Sequence, residues 1–235
     1  MRQGREAILN RRQALVGRLS ARPAEVRGAA PPGLHPLQLD GGRDGLLYVP
    51  AGYAPDAPAP LALMLHGAGG TARQGISLLR EVADESGLIL LAPDSRRQTW
   101  DMIVSDYGPD VAYIELALAE TFSRYAVDPQ RLAVGGFSDG ASYALSLGLT
   151  NGDLFTHVIA FSPGFMRPAE RRGNPRLFIS HGTQDRVLPI GVCSRRLVPQ
   201  LQRTGYDLLY REFDGPHTVP PEIAREAARW LTASA

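Results

Sequence analysis

A five-residue turn in the middle of the chain, Gly136-Phe137-Ser138-Asp139-Gly140, constrains the fold more than any other segment. An apolar run precedes it and a helix-like run follows it, so the sequence predicts a sharp turn from a buried strand into a helix. Such a turn holds the serine in a strained backbone conformation, and a side chain at either glycine would collide with a neighbouring strand or helix. The Ser138 hydroxyl is therefore expected to be exposed at the end of a sheet.

The strand and helix patterns that surround this turn alternate along the chain. An opening hairpin is predicted over residues 34–39 and 45–49, followed by a strand over residues 61–65 that is apolar throughout. Alternation of this kind predicts an α/β fold in three layers, with a mostly parallel sheet covered by helices on both faces. In such folds ligands bind beyond the carboxyl ends of the strands.

Composition limits what the chain can be. Its 235 residues are 44% apolar and 21% charged, which is typical of a globular protein with one sizeable core. The Pro- and Gly-containing break at residues 29–33 divides a predicted N-terminal helical extension, residues 1–28, from a single α/β domain, residues 29–235. A net charge of +1 without long runs of one sign argues against nucleic-acid and membrane-surface partners.

Several chemistries are excluded by residue usage. All 25 basic residues are arginines, so no lysine can form a Schiff base, a P-loop contact or a Ser-Lys pair. Cys193 is the only cysteine, which rules out an intrachain disulfide and a multi-cysteine metal site. We expect no metal and no cofactor. The single cysteine favours a cytoplasmic protein, with a disulfide-free secreted protein as the alternative, and no apolar run is long enough to cross a bilayer. The sequence leaves both a monomer and a homodimer open.

A serine hydroxyl needs a base to remove its proton, and the base needs an acceptor that fixes its tautomer. Downstream of Ser138, Asp185 follows a predicted buried strand, and His217 is the only histidine between the last strand and the last helix. We therefore predict His217 as the base and Asp185 as the residue that orients it. Asp214 and Asp153 are alternatives for the acid, but neither ends the strand that the geometry requires.

The same chemistry needs two N–H donors for a developing oxyanion. The backbone of Asp139 is predicted to provide one, and Ala68, in the glycine-rich loop after the first parallel strand, the other. The loop lacks the spacing of a phosphate-binding loop. His66 and His181 each precede a glycine at a strand end, and for them we favour a structural role in which the imidazole ties neighbouring loops together.

Four motifs together resemble the phospholipase/carboxylesterase group of small α/β-hydrolases, which includes acyl-protein thioesterase-like enzymes. They are the turn at residues 136–140, Leu-His-Gly-Ala-Gly-Gly-Thr at 65–71, His-Gly-Thr-Gln-Asp-Arg-Val-Leu-Pro at 181–189 and Gly-Pro-His-Thr-Val-Pro-Pro-Glu-Ile at 215–223. The resemblance runs from about Leu61 to the end and implies a cofactor-free serine esterase. The loop at 65–71 is also similar to that of feruloyl esterases and polyester depolymerases. Asp139 stands where the group usually has Gln, and Ala141 where it commonly has Gly, which leaves substrate preference open.

These observations predict an enzyme that cleaves small-molecule carboxylic esters or thioesters through an acyl-enzyme intermediate. The connection over residues 162–176 is too short for a helical cap, so the site should be open. Loop residues at the same edge are predicted either to line an acyl groove or simply to pack the loops: Trp100, Met102, Phe165, Met166 and Leu188. Two other functions are considered, a non-catalytic ligand-binding protein of the same fold and a serine peptidase, although the peptidases of this type normally carry a propeller domain.

Overall fold

The computed structural model describes residues 12–24, 26, 31–39 and 42–233. Its strands form one sheet of eight in the order β1-β2-β4-β3-β5-β6-β7-β8. The strands are β1 (Gly33–Pro36), β2 (Gly45–Val49), β3 (Ala59–Leu65), β4 (Ile89–Pro93), β5 (Val127–Phe137), β6 (His157–Phe161), β7 (Arg176–Gly182) and β8 (Leu208–Phe213). The helices are α1 (Ala72–Ser77), α2 (Arg80–Ala83), α3 (Asp101–Val104), α4 (Pro109–Arg124), α5 (Asp139–Thr150), α6 (Ser194–Arg203) and α7 (Pro221–Thr232).

The sheet is parallel except at its start. β1 pairs antiparallel with β2, and β2 antiparallel with β4, whereas β4, β3, β5, β6, β7 and β8 run parallel to one another. The predicted opening hairpin is thus present, and the predicted α/β fold class is confirmed. Because the strands from β3 onward are parallel, their carboxyl ends meet at one edge of the sheet.

Helices cover both faces of the sheet because the central strands are apolar on both sides. All seven residues of β3 are buried. One apolar cluster includes buried side chains of α4, α5 and α6 and contains Trp100, Tyr143 and Phe155. The other includes buried side chains of α1, α2 and α7 and contains Phe161 and Phe178. The sheet therefore separates two cores, as a three-layer fold requires.

Part of the predicted N-terminal extension packs on the domain. Residues 12–14 are helical, and residues 18–24 have no regular structure. Leu19 is buried in the core on the α5 face, and its N–H donates to Asn151 Oδ1 at 2.9 Å. Arg18 donates to Thr150 O and to Asp153. The predicted boundary between residues 28 and 29, like most of the helix predicted over residues 1–28, lies outside the described residues.

Among the residues that the structure describes, no cap covers the carboxyl edge of the sheet. Residues 162–175 contain no helix and return directly from β6 to β7. In the described ranges, no helix is long and apolar enough to cross a membrane. The loops that follow β3, β5, β7 and β8 therefore meet at an open edge.

Candidate active site

The turn between β5 and α5 has the strained geometry that its sequence predicts. Ser138 has φ 59° and ψ −121°, a backbone conformation that side chains rarely adopt. A Cβ at Gly136 would lie 2.6 Å from the carbonyl oxygen of Leu65, and one at Gly140 would lie 2.2 Å from the same atom. The two glycines are needed because the turn touches the backbone of β3, and not because the turn is flexible.

Ser138, His217 and Asp185 form a continuous hydrogen-bonded chain. Ser138 Oγ lies 2.9 Å from His217 Nε2, and His217 Nδ1 lies 2.5 Å from Asp185 Oδ2. The other carboxylate oxygen accepts the backbone N–H groups of Val187 and Leu188 at 2.9 and 2.8 Å. Since the carboxylate can only accept, Nδ1 carries the proton and Nε2 is free to accept from the serine hydroxyl.

The Asp185 carboxylate is buried but remains ionised. Burial raises its pKa, yet hydrogen bonds from the Leu188 N–H and from His217 outweigh that effect and place the pKa below its ordinary value. His181 lies on the other side, with Nε2 2.7 Å from Leu188 O and 3.2 Å from Asp185 Oδ2, while Nδ1 lies 2.7 Å from Ser194 Oγ. Burial lowers the pKa of His181, so a neutral imidazole ties this loop together, as its structural interpretation predicts.

The two alternative acids contact other groups. Asp214 accepts from Gln184 Nε2 at 2.6 Å, and Asp153 pairs with Arg18 at 2.7 Å. Among the described residues, Asp185 is the carboxylate that contacts His217. The geometry therefore favours Asp185 over both alternatives.

The glycine-rich loop passes directly beside the serine. A Cβ at Gly67 would lie 3.4 Å from Ser138 Cβ. In the part of the chain that the structure describes, the backbone N–H groups of Ala68 and Asp139 have no protein acceptor. Free N–H groups at the start of a helix and in a loop are the donors that an oxyanion requires. The predicted pair is thus available for that role.

His66 and Trp100 fix the start of the glycine-rich loop. His66 Nε2 accepts the Ser95 N–H at 3.0 Å, and Nδ1 lies 2.7 Å from Gly67 O. Burial lowers the pKa of His66, which is consistent with the neutral form that these contacts need. The Trp100 indole N–H donates to His66 O at 2.8 Å, and the two rings contact each other at a tilt of 36°, with centroids 4.7 Å apart.

Residues 95–101, here called the support segment, touch both sides of the prospective oxyanion site. Besides the Trp100 contact, Thr99 Oγ1 donates to Asp139 Oδ2 at 2.7 Å, and the Gly69 N–H donates to Gln98 O at 2.7 Å. The sequence interpretation missed this role. The available signal was only Pro93-Asp94 at a strand end, which marks the edge of the sheet but not the contacts of the segment that follows.

Two buried carboxylates, Asp101 and Asp110, hold the end of the support segment in place. Asp110 Oδ2 accepts the Asp101 N–H at 2.6 Å, and Asp101 Oδ2 accepts the Asp110 N–H at 2.9 Å, so each side chain caps the other's helix. Tyr143 OH donates to Asp101 at 3.0 Å. Burial and the neighbouring Asp101 raise the pKa of Asp110 to about 6.

The structure corrects part of the predicted substrate groove. Trp100 and Met102 are 0% and 1% exposed and belong to the core, because the indole turns inward to reach His66 O and Tyr143. Phe165 is 39% exposed, Leu188 is half-buried, and the loops that carry them touch at Gly164. Met166 is partly buried against the core. Contact of these three side chains with substrate remains a prediction.

A cavity of about 390 Å³ opens beside His217. Its walls are the loop after β3, the side chains of Gln74 and Leu78 from the α1 region, and Phe137, His217 and Val219. A volume of this size is within the range of small-molecule sites. Among the described residues, no group of three His, Cys, Asp or Glu side chains could hold a metal ion.

Within the described residues, a mostly parallel sheet, an edge without a helical cap and a serine on a strained strand-to-helix turn together define an α/β-hydrolase. The sequence profile of the phospholipase/carboxylesterase family matches residues 111–232, which is more than half of the chain. The chain belongs to this family.

Individual relatives agree with that assignment. Feruloyl esterase C of Emericella nidulans is 28% identical over 180 residues, which cover 70% of this chain and 66% of the relative. The putative esterase NocK of Nocardia uniformis subsp. tsuyamanensis is 29% identical, over 74% of this chain and 49% of the relative. The chain thus spans less than two thirds of both relatives. The crystal structure of esterase PE8 superposes with a TM-score of 0.64 and 25% identity, covering 80% of this chain and 96% of that one.

Proposed function

We propose that the protein is a serine esterase that hydrolyses small-molecule carboxylic esters through an acyl-enzyme. The observation that carries the proposal is the uninterrupted chain of contacts from Asp185 through His217 to Ser138 Oγ, at 2.5 and 2.9 Å. A buried, ionised carboxylate at one end and a half-buried serine hydroxyl at the other are what base-assisted attack requires. The sequence similarity to feruloyl esterase C and the structural similarity to esterase PE8 also support ester hydrolysis.

The proposed reaction has two halves. Ser138 Oγ attacks the ester carbonyl carbon while His217 Nε2 takes the hydroxyl proton, and Asp185 stabilises the resulting imidazolium. The negative charge that develops on the carbonyl oxygen is held by the N–H groups of Ala68 and Asp139. His217 then gives its proton to the leaving oxygen, the carbonyl–leaving-group bond breaks, and water repeats the sequence to release the acid.

Thioesters fit the same mechanism, and the likeness to acyl-protein thioesterase-like enzymes makes them the second substrate class to test. The open carboxyl edge gives room for bulky esters, because no helical cap lies over it in the described part of the chain. Phe165, Met166 and Leu188 are the candidates for contacts with the acyl group. We propose no metal or cofactor in the reaction.

Labelling with a fluorophosphonate tests the proposal without assuming a substrate, since only an activated serine reacts. Mass spectrometry should place the adduct on Ser138, and His217→Ala should abolish labelling while circular dichroism stays unchanged. Ser138→Ala should remove hydrolysis of both nitrophenyl esters and thioesters. A folded wild-type protein that neither labels nor hydrolyses any ester would instead support the non-catalytic binding function.

A further inference from the structure

The cavity beside His217 has a defined position relative to the reacting atoms. The cavity is lined by His217 and the next two residues, Thr218 and Val219, by Gln74 and Leu78, and by the loop after β3 that includes Ala68. Neither Phe165 nor Leu188 lines it. The cavity therefore lies between the His217 imidazole and the loop after β3, apart from the loops that the acyl group is expected to contact.

A cavity beside His217 is where the leaving group of the ester is expected to lie, rather than the acyl group. In the proposed mechanism, His217 Nε2 passes the serine proton to the leaving oxygen, so this oxygen must lie against the imidazole. The carbonyl oxygen points toward the N–H groups of Ala68 and Asp139. The alcohol half of the ester then continues from the leaving oxygen into the cavity, and the acyl half extends away from it.

The lining is uncharged and mixed. Leu78, Phe137 and Val219 supply an apolar surface, and among the described residues no Asp, Glu or Arg side chain is part of the wall. Gln74 Oε1 accepts the Thr71 N–H at 2.9 Å, which holds this side chain in place and leaves its amide nitrogen without a protein partner among the described residues. A charged ligand would lose its hydration without gaining a counter-charge here.

Charged side chains line the neighbouring depression. A second depression of about 130 Å³ shares Ser77, Leu78 and Val219 with the first and continues to Glu81 and Arg225. A leaving group that fills the first cavity without entering the second therefore does not reach Glu81 or Arg225.

We propose that this cavity is the leaving-group subsite, and that it takes an uncharged alcohol with an apolar body and a hydroxyl group that the Gln74 amide can bind. The inference rests on the proposed esterase function.

Because each step is reversible, the same subsite also receives an acceptor alcohol. The alcohol oxygen attacks the carbonyl carbon of the acyl-enzyme while His217 takes the alcohol proton. The bond between this carbon and Ser138 Oγ then breaks, and His217 returns a proton to Ser138 Oγ.

A series of butyrate esters tests the subsite at constant acyl group. The alcohols are methanol, benzyl alcohol, 4-(hydroxymethyl)benzyl alcohol, 4-carboxybenzyl alcohol and 4-(trimethylammonio)benzyl alcohol. We expect kcat/KM for the two neutral benzyl esters to exceed that of the methyl ester by about tenfold, and that of either charged ester by a similar factor. In parallel, p-nitrophenyl butyrate is the acyl donor and the free alcohols compete with water, so that product ratios report acceptor binding alone.

Gln74→Glu gives a charge change at nearly constant shape. Glu retains the acceptor that Thr71 uses, so the start of α1 keeps its cap. The variant should raise the ratio of kcat/KM for the trimethylammonio ester over the carboxy ester by about tenfold. Gln202→Glu is the matched control, because Gln202 is exposed on α6, on the opposite face of the sheet, and should leave both the ratio and turnover unchanged.

The outcomes separate the two proposals. Equal kcat/KM across the series with normal hydrolysis of p-nitrophenyl butyrate would overturn the subsite and leave the esterase function standing. A Gln74→Glu effect on acyl-chain preference, without an effect on the alcohol ratio, would reassign the cavity to the acyl group. Absence of all hydrolysis and of fluorophosphonate labelling would instead remove the proposed function itself.

Discussion

The turn at residues 136–140 and the support segment at residues 95–101 both shape the surroundings of Ser138, but by different physical means. The turn acts through its own backbone: a positive φ at Ser138 and two glycines pressed against Leu65. The support segment acts on these surroundings through contacts with residues 34 and 40 positions away along the chain, those of Trp100 with His66 and of Thr99 with Asp139.

This difference explains why the turn could be predicted from the sequence and the role of the support segment could not. A strained turn needs particular residue types at fixed spacing, so it leaves a motif. A side-chain donor that reaches a distant backbone oxygen leaves none, because its partner is chosen by the tertiary fold. Substitutions in the turn and in the support segment therefore test whether the two regions act by these different means.

The largest effect is expected for Gly140→Ala. A Cβ there would lie 2.2 Å from Leu65 O and 2.5 Å from His66 O, both backbone atoms that cannot move without displacing β3. We expect a loss of about 4 kcal/mol or more in the free energy of unfolding, or failure to fold. Gly191→Ala, where nothing lies within 4 Å, is the matched control and should shift stability by less than about 0.5 kcal/mol in urea unfolding. Equal stability of the two variants would refute the steric account of the turn.

The next effect is expected for Trp100→Phe, which keeps an aromatic ring but removes the N–H that binds His66 O. The freed carbonyl is buried, so stability should fall by about 1–3 kcal/mol. If the contact positions the loop that carries the Ala68 N–H, kcat should also fall about tenfold with KM nearly constant. Met102→Leu, at an equally buried neighbour, should lower stability slightly and leave kcat unchanged. An unchanged kcat in Trp100→Phe would restrict Trp100 to a core role.

The fold could be predicted well because its signals are periodic or local. Apolar runs fixed the central strands, and strand-end polar residues such as Asp185 fell at one edge because parallel strands share their direction. Trp100 was harder. An aromatic residue in a loop fits both a ligand wall and a core position, and only the direction of its side chain separates them. Here a donor-acceptor pair 34 residues apart turns it inward.

A smaller effect is expected for Thr99→Val, which removes the hydroxyl donor to Asp139 Oδ2 at nearly constant volume. Asp139 begins α5, and its own N–H is the proposed oxyanion donor, so a looser side chain should lower kcat about threefold without a change in KM. Thr99→Ser keeps the hydroxyl and should restore kcat. Steady-state kinetics on one nitrophenyl ester measures all three proteins, and a kcat loss shared equally by Thr99→Ser would contradict the hydrogen-bond explanation.

The smallest effect is expected far from the site, where Asp153 binds Arg18 and Arg22 beside the end of α5. The Arg18 hydrogen bond and charge outweigh burial and lower the pKa of Asp153 to about 2. Because the folded-state pKa lies below the unfolded value, this stabilisation is present above about pH 4 and is lost as pH falls toward 2. Asp153→Asn should lower the free energy of unfolding at pH 7 by about 0.5–1 kcal/mol, since the pair is partly exposed, and by less near pH 2. Urea unfolding at both pH values measures this, with Asp207→Asn as an exposed-pair control. The kcat of Asp153→Asn is expected to equal that of the wild type, because the contacts of Asp153 involve neither the turn nor the support segment. A loss of activity in this variant would show that contacts at the end of α5 influence Ser138 at its start.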